Sequence, residues 1–255
     1  MSGITAIVLA GSRPGSDPFA EAHGTDLKPL IPVGATPMVR RPVETLLSQR
    51  RVNRVRILTQ APERIAAVLP ADPRLSVETS GPSIAATIEM ICLDPTTEWP
   101  LLVTTADHAL LDQGMIAEFV DRAAGADLGM GVVAQRTLLT RFPRAQRTWI
   151  RLRGGAYSGA NLFLLGGPKV LSAIELWRGV EQDRKTGRRL LTALGPVVLI
   201  GAALRLLSLE QVAGRVSRKL SLTIRAIELS DPLAAVDVDK ESDLQLVEAV
   251  LAGRA

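Results

Sequence analysis

The chain of 255 residues is 47 % hydrophobic and 22 % charged, a balance that lets burial offset ordering entropy and excludes intrinsic disorder. The single cysteine, Cys92, excludes a disulfide framework and a cysteine zinc site and points to a reducing, cytoplasmic setting. Three Trp, one Tyr and four Phe are too few for a base-stacking platform, so the net charge of +4 does not indicate a nucleic-acid partner.

Strand-like and helix-like segments alternate through the first half. Residues 4–10 form a continuous apolar run, as a parallel strand buried on both faces requires. That run has no basic leader and is too short for a secretory signal core. Within residues 38–50, Val39, Val43, Leu46 and Leu47 recur at helical spacing, and Val52–Thr59 follows as a β-rich run. Residues 63–69 predict a helix, Leu75–Thr79 a short strand and 83–93 a helix. Leu101–Thr105 then predicts a buried strand and residues 113–124 a helix. This alternation predicts an α/β fold: a three-layer α/β/α sandwich, Rossmann-like, around a mixed, mostly parallel sheet.

After residue 128 the pattern loosens. Strands are expected at Leu128–Ala134, 148–152, 161–165, 222–229 and 234–238, and helices at 168–177, 209–219 and 240–251. The uncharged stretch 190–204 is interrupted by Pro196 and falls short of the roughly 18–20 residues that span a bilayer, so it predicts a buried segment. Its basic flanks, Arg188, Arg189 and Arg205, are compatible with peripheral contact at a membrane surface. With no internal repeat or Pro/Ser-rich linker, one domain over residues 1–255 is expected, as a monomer or homodimer. Charge is unevenly placed along it. Residues 1–127 carry 11 Lys+Arg against 15 Asp+Glu, and residues 128–255 carry 19 against 11. Between Leu128 and Ile174 there is no acid, while Arg136, Arg141, Arg144, Arg147, Arg151, Arg153 and Lys169 all fall there. Such localised charge suggests a site for an anion.

Five segments carry the polar chemistry. The strand–loop Leu9-Ala10-Gly11-Ser12-Arg13-Pro14-Gly15 lets backbone N–H groups approach phosphate oxygens, with Arg13 and the downstream Lys28 supplying positive charge. It contains neither a Walker loop nor the dinucleotide Gly-x-Gly-x-x-Gly, and taken alone it also reads as a Gly-rich turn with solvated bases. Asp107 lies just beyond the predicted strand Leu101–Thr105, where ligands bind in open α/β sheets; it can hold a divalent cation or cap the next helix. Asp237 and Asp239 alternate with Val236 and Val238, so on a strand both carboxylates share a face, and side by side they favour a cation. A cap for the closing helix is the other role open to Asp239. Gly81 and Pro82 shape a turn in which Ser83 can cap the following helix. Gly154–Ala160 is a glycine-rich, ligand-contacting loop by composition, ahead of Asn161 at a strand start. With only His23 and His108 and no Gly-x-Ser-x-Gly elbow, hydrolase triads have little support, and Cys92 belongs to an apolar helix face.

Leu9–Gly15 with Lys28-Pro-Leu-Ile-Pro-Val33, Asp107 and the Asp239–Leu244 segment resembles nucleotidyltransferases of the nucleotide-diphospho-sugar transferase fold, of the molybdenum-cofactor guanylyltransferase and cytidylyltransferase types. The resemblance implies that Leu9, Ala10, Gly11, Ser12, Arg13 and Lys28 wrap a nucleoside triphosphate and that Gly81, Pro82 and Ser83 contact its base. It implies Mg²⁺ on Asp107 and Asp239, with Asp237 the next choice. It places a phosphorylated acceptor near Ser158, Asn161, Arg184 and Lys185, so that residues 1–127 form the nucleotide half and 128–255 the acceptor half. The C-terminal segment is most similar to cytidylyltransferases, which favours CTP over GTP or UTP. Two features depart from the pattern: Ser12 replaces a glycine, and the gap between Arg13 and Lys28 is long and carries Asp17, Glu21, His23 and Asp26. They leave room for a nucleotide-binding regulatory module without catalysis. A glycosyltransferase of the same fold is disfavoured because Thr105-Ala106-Asp107 lacks the first acid of Asp-x-Asp.

Overall fold

Residues 3–12, 15–143, 145–182 and 205–254 are described by a computed structural model. The first strand, β1 (Ile4–Leu9), is buried along almost its whole length because it has a neighbour on each side and helices on each face. A short helix α1 (Pro18–Ala22) and a two-strand ribbon, β2 (Pro32–Val33) and β3 (Thr36–Pro37), lead to α2 (Arg40–Ser48). The βα alternation continues with β4 (Val52–Thr59), α3 (Pro62–Ala66), β5 (Leu75–Thr79), α4 (Ile84–Leu93), β6 (Leu101–Thr105) and α5 (Gln113–Ala123). Then come β7 (Leu128–Ala134), α6 (Gln135–Arg141), β8 (Ile150–Leu152), β9 (Gly155–Leu165) and α7 (Leu171–Gln182). The remaining described elements are α8 (Leu209–Leu220), β10 (Ile224–Glu228) and α9 (Glu241–Leu251).

The sheet runs β5-β4-β1-β6-β9-β7-β10, with β8 paired to β9. β1, β4, β5 and β6 are parallel, β10 is parallel to β7, and β9 runs antiparallel to β6, β7 and β8. This is the expected mixed, mostly parallel sheet. Period-2 alternation sends successive residues to opposite faces. Ala6 and Val8 join a core with Val43 and Leu46 of α2, Phe119 of α5 and Val247 of α9, whereas Ile7 joins a second core with Ile88 of α4 and Ile174 of α7. Cys92 is buried in the second core, and burial pushes its thiol up to about 12. No helix among the described residues is long and apolar enough to cross a membrane.

The chain leaves β1 toward β4 and β5 on one side and returns to β6 on the other. The carboxyl ends of β1 and β6 therefore flank the switch point where open α/β sheets form their ligand crevice. β9 reaches the same place from the opposite direction. It pairs with β6 only through Phe163–Leu165, and then continues alongside β7 and β8.

Two expectations are corrected. Gly154–Ala160 is not a flexible loop: from Gly155 onward it belongs to β9, where Ser158 pairs with Val133 and Tyr157 with both Ala134 and Ile150. Partners on both sides outweigh the weak strand preference of glycine. Residues 234–238 are not a strand. Pro232–Ala235 forms a 3-10 turn, and the extended segment after it buries Val236 and Val238 with no strand partner among the described residues, so the alternation reflects burial.

Gly166, just past β9, passes so close to the chain at Ala126 that an added Cβ would lie 2.3 Å from the Ala126 carbonyl oxygen. Gly166→Ala is expected to lower the unfolding free energy by about 1–3 kcal/mol, the usual cost of overpacking. Gly159→Ala, where a Cβ meets nothing within 4 Å, is expected to leave it nearly unchanged. Urea denaturation of both variants checks the contrast.

Candidate active site

Lys28 opens a 3-10 turn, Lys28–Leu30, that follows α1, and its side chain reaches over the carboxyl end of the sheet. Its Nζ donates to Asp107 Oδ2 at 2.7 Å and to Asp239 Oδ1 at 2.5 Å. Burial works against the Lys28 charge, but the Asp107 and Asp239 carboxylates outweigh it and hold its pKa above the ordinary lysine value. Asp107 is fixed from two further directions. Thr105 at the end of β6 donates to its Oδ1 at 2.5 Å, and its carbonyl accepts the Val238 N–H at 3.0 Å. The second bond ties the Asp237–Asp239 segment directly to the end of the central sheet.

That segment is held from behind by Arg147, whose side chain is 9 % exposed. Arg147 Nη1 donates to Asp243 Oδ1 at 2.9 Å, Nε donates to the Ala235 carbonyl at 2.8 Å, and Nη2 lies 3.6 Å from Asp237 Oδ1. The other Asp243 oxygen accepts the Asp239 N–H at 3.3 Å. Asp239 does not cap α9; the cap position belongs to Lys240, which makes no side-chain capping bond. Asp237 accepts from Asn161 Nδ2 at 3.3 Å. Burial pushes the Asp237 carboxyl up, Arg147 opposes this, and the charges of Asp239 and Asp107 push it further up.

Asn161 is aimed by its backbone. It has φ +47°, in the left-handed region that Asn tolerates better than most residues, within the irregular stretch where the β7–β9 register shifts. On the other flank of β1, Ala10 donates to the Leu58 carbonyl, and the Ser12 N–H bonds Gln60 Oε1 at 3.0 Å. A Cβ on Gly11 would come within 2.9 Å of the Gln60 amide, so glycine permits that approach. The turn after β5 is tightly made: the Gly81 N–H bonds Thr87 Oγ1, and a Cβ there would lie 3.1 Å from the Thr87 nitrogen. Ser83 caps α4 through the Ala86 N–H, as its helix-capping role requires, and its hydroxyl donates to Glu181 at 2.6 Å. Pro82 is exposed beside it.

The structure thus brings Lys28, Asp107 and Asp239 into direct contact and sets Asp237 and Asn161 next to them. Leu9 ends β1 and Ala10, Gly11 and Ser12 follow it at the same sheet end, and Gly81, Pro82 and Ser83 follow β5, two strands away. Ser158 is buried within β9, three residues before Asn161. Arg13, Arg184 and Lys185 lie outside the described residues, as does the apolar stretch 190–204. His108, beside Asp107, is fully buried, and desolvation pushes its pKa down to about 4, so it is neutral at pH 7. Gln60 was missed by sequence reasoning, although its position just past the end of β4 was a readable signal. Arg147 was expected only as one of the arginines suggesting an anion site; its partners Asp237 and Asp243 meet it only through folding.

The donor set suits a hard divalent cation. Asp107 and Asp239 offer carboxylate oxygens around one position already held by a cationic group, the Lys28 ammonium. The described residues contain no cluster of three or more potential metal ligands. Asp107 and Asp239 could hold such a cation if water and substrate phosphate completed its shell.

The model of the MobA-like NTP transferase domain matches residues 6–208. A hypothetical transferase from Thermus thermophilus is 31 % identical with a TM-score of 0.80, the alignment covering 95 % of this chain and 99 % of that one. The 4-diphosphocytidyl-2C-methyl-D-erythritol synthase of Anaerococcus prevotii has a TM-score of 0.63 at 7 % identity, covering 98 % and 99 %; at that identity it shows a shared fold. A second 4-diphosphocytidyl-2C-methyl-D-erythritol synthase structure has a TM-score of 0.62 at 14 % identity, covering 98 % and 99 %. No curated protein sequence matches the chain significantly.

Removing one partner of a buried ion pair leaves the other uncompensated. Arg147→Met is therefore expected to destabilise the fold by about 3–5 kcal/mol. Adding Asp243→Leu should recover much of that loss, since neither charge then remains buried alone. Urea denaturation reads both; a double variant no more stable than the single one would show that Arg147 stabilises through other bonds.

Proposed function

The chain belongs to the MobA-like NTP transferase family, and on that premise we propose that it transfers a nucleoside monophosphate from a nucleoside triphosphate to a phosphorylated small molecule, releasing pyrophosphate. The observation that supports this most is the convergence of Lys28, Asp107 and Asp239 at the carboxyl ends of β1 and β6. An acceptor phosphate oxygen attacks the α-phosphorus, a new P–O bond forms, and the bond to the bridging oxygen of pyrophosphate breaks. The acceptor phosphate is already ionised, so the reaction needs no strong general base, in keeping with a neutral, buried His108.

Catalysis on this reading is positioning and charge neutralisation. The backbone of Leu9–Ser12 approaches the phosphates, and Lys28 and Arg13 neutralise charge on the departing pyrophosphate. Asp107 and Asp239 would hold Mg²⁺, which supplies charge neutralisation on the triphosphate when bound. Asp237 is the second choice for that role, because Asn161 and Arg147 already engage it. Gly81, Pro82 and Ser83 border the base, and Ser158, Asn161, Arg184 and Lys185 serve the acceptor. CTP is the proposed donor on the strength of the Asp239–Leu244 segment, whose pattern is most like that of cytidylyltransferases.

A pyrophosphate-release screen of the four NTPs with Mg²⁺ against a panel of phosphorylated metabolites tests the proposal. It expects turnover with at least one acceptor, CTP being the best donor; tight NTP binding without turnover on any acceptor would instead indicate a regulatory module. Within an active pair, Asp107→Ala should lower turnover by at least about 10²–10³-fold, the scale of losing one aligned electrostatic group. Retained activity would remove Asp107 from the site.

A further inference from the structure

Lys28 is bonded to two carboxylates at once, and both are the carboxylates assigned to the cation. Its ammonium can donate three hydrogen bonds; two of them go to Asp107 and Asp239. Two acids brought this close repel unless a positive charge lies between them or water screens them. The Lys28 side chain is 18 % exposed and that of Asp107 21 %, whereas Asp239 is 61 % exposed, so the pair is open to solvent from the Asp239 side.

We propose that Lys28 is the built-in counter-ion of the Asp107–Asp239 pair, excluding bare divalent cations and yielding its place only to a cation that arrives with polyphosphate. A bare cation must break two short charge-assisted bonds, and the described residues offer it no cluster of three or more ligands in return. A cation carried on polyphosphate brings its own oxygen ligands. The same polyphosphate gives the displaced ammonium new acceptors, and the flexible four-carbon stem of lysine lets it turn to them. Cation and polyphosphate therefore raise each other's affinity by the same factor. The proposal rests on the nucleotidyl-transfer reading for the natural polyphosphate, but the competition for the acid pair stands apart from it.

The test uses the full chain and Mn²⁺ alone, with free Mn²⁺ measured by electron paramagnetic resonance. Lys28→Met and Lys28→Gln are each expected to bind bare Mn²⁺ about tenfold or more tightly than the parent, within the usual range of coupling factors. Adding Asp239→Asn to either should remove that gain. Melting temperature gives a second reading: Mn²⁺ should raise it more in the Lys28 variants than in the parent. A third reading is calorimetric titration with inorganic pyrophosphate, whose affinity Mn²⁺ should enhance more in the parent than in Lys28→Met. Equal or weaker Mn²⁺ binding by both Lys28 variants overturns the proposal. An active transferase with that result would retain its function without a counter-ion lysine. Tighter Mn²⁺ binding in a chain that turns over no nucleotide would support the counter-ion role and defeat the transferase reading.

Discussion

Two carboxylates 132 positions apart in the sequence, Asp107 and Asp239, meet on the ammonium of Lys28, and much of the molecule serves to arrange that meeting. Asp107 is placed by β6, the strand next to the central β1. Lys28 comes from the chain after β1, carried by α1 and the turn that follows. Asp239 comes from near the carboxyl terminus and must be brought back across the sheet. Electrostatics sets the constraint: the acids repel unless a cation lies between them or water screens them, and here the Lys28 ammonium lies between them.

The return of the C-terminal segment is where the fold invests its buried charge. Arg147 and Asp243 are both withdrawn from solvent, and the arginine also takes the carbonyls of Ala235 and Asp237. Such a pair adds little net stability compared with apolar side chains of equal volume. Its contribution is geometric: Asp243 receives the Asp239 N–H, and the Val238 N–H reaches the Asp107 carbonyl. The acid-free, arginine-rich stretch thus supplies at least one internal brace as well as surface charge. Arg136, another member, pairs with Glu228 on β10. The positive excess of the second half is therefore only partly available to an anionic ligand.

Much of the architecture was legible in the sequence because β-rich runs alternate with helical spacings at the interval of βαβ units. Val52–Thr59, Leu75–Thr79, Leu101–Thr105 and Leu128–Ala134 stand where the pattern puts them. The pattern failed where apolar alternation and hydrogen-bond pairing part company. Val236 and Val238 are buried as strand residues would be, yet no strand among the described residues pairs with them. Gly155–Ala160 looks like a loop by composition, yet β7 and β8 enclose it as a strand. Lys28, Asp107 and Asp239 could be singled out by their places after strands and by resemblance. Their mutual contact could not, because spacings of 79 and 211 residues carry no geometric information until the sheet is assembled. The roles of Gln60 and Arg147 were hidden for the same reason.

The long connection before Lys28, a departure from the family pattern, has a structural use. Asp17 caps α1, His23 contacts Glu241 at the start of α9, and Asp26 forms a two-point bond with Arg64. These ties anchor the segment that delivers Lys28 to the elements on either side of the site. A structure with Mg²⁺ and a non-hydrolysable nucleoside triphosphate tests whether this lysine exchanges carboxylates for phosphates. Lys28 Nζ is then expected within hydrogen-bond distance of a phosphate oxygen, with its bond to Asp239 broken. A nucleotide bound at the carboxyl ends of β1 and β6 with Lys28 still bridging Asp107 and Asp239 would contradict it.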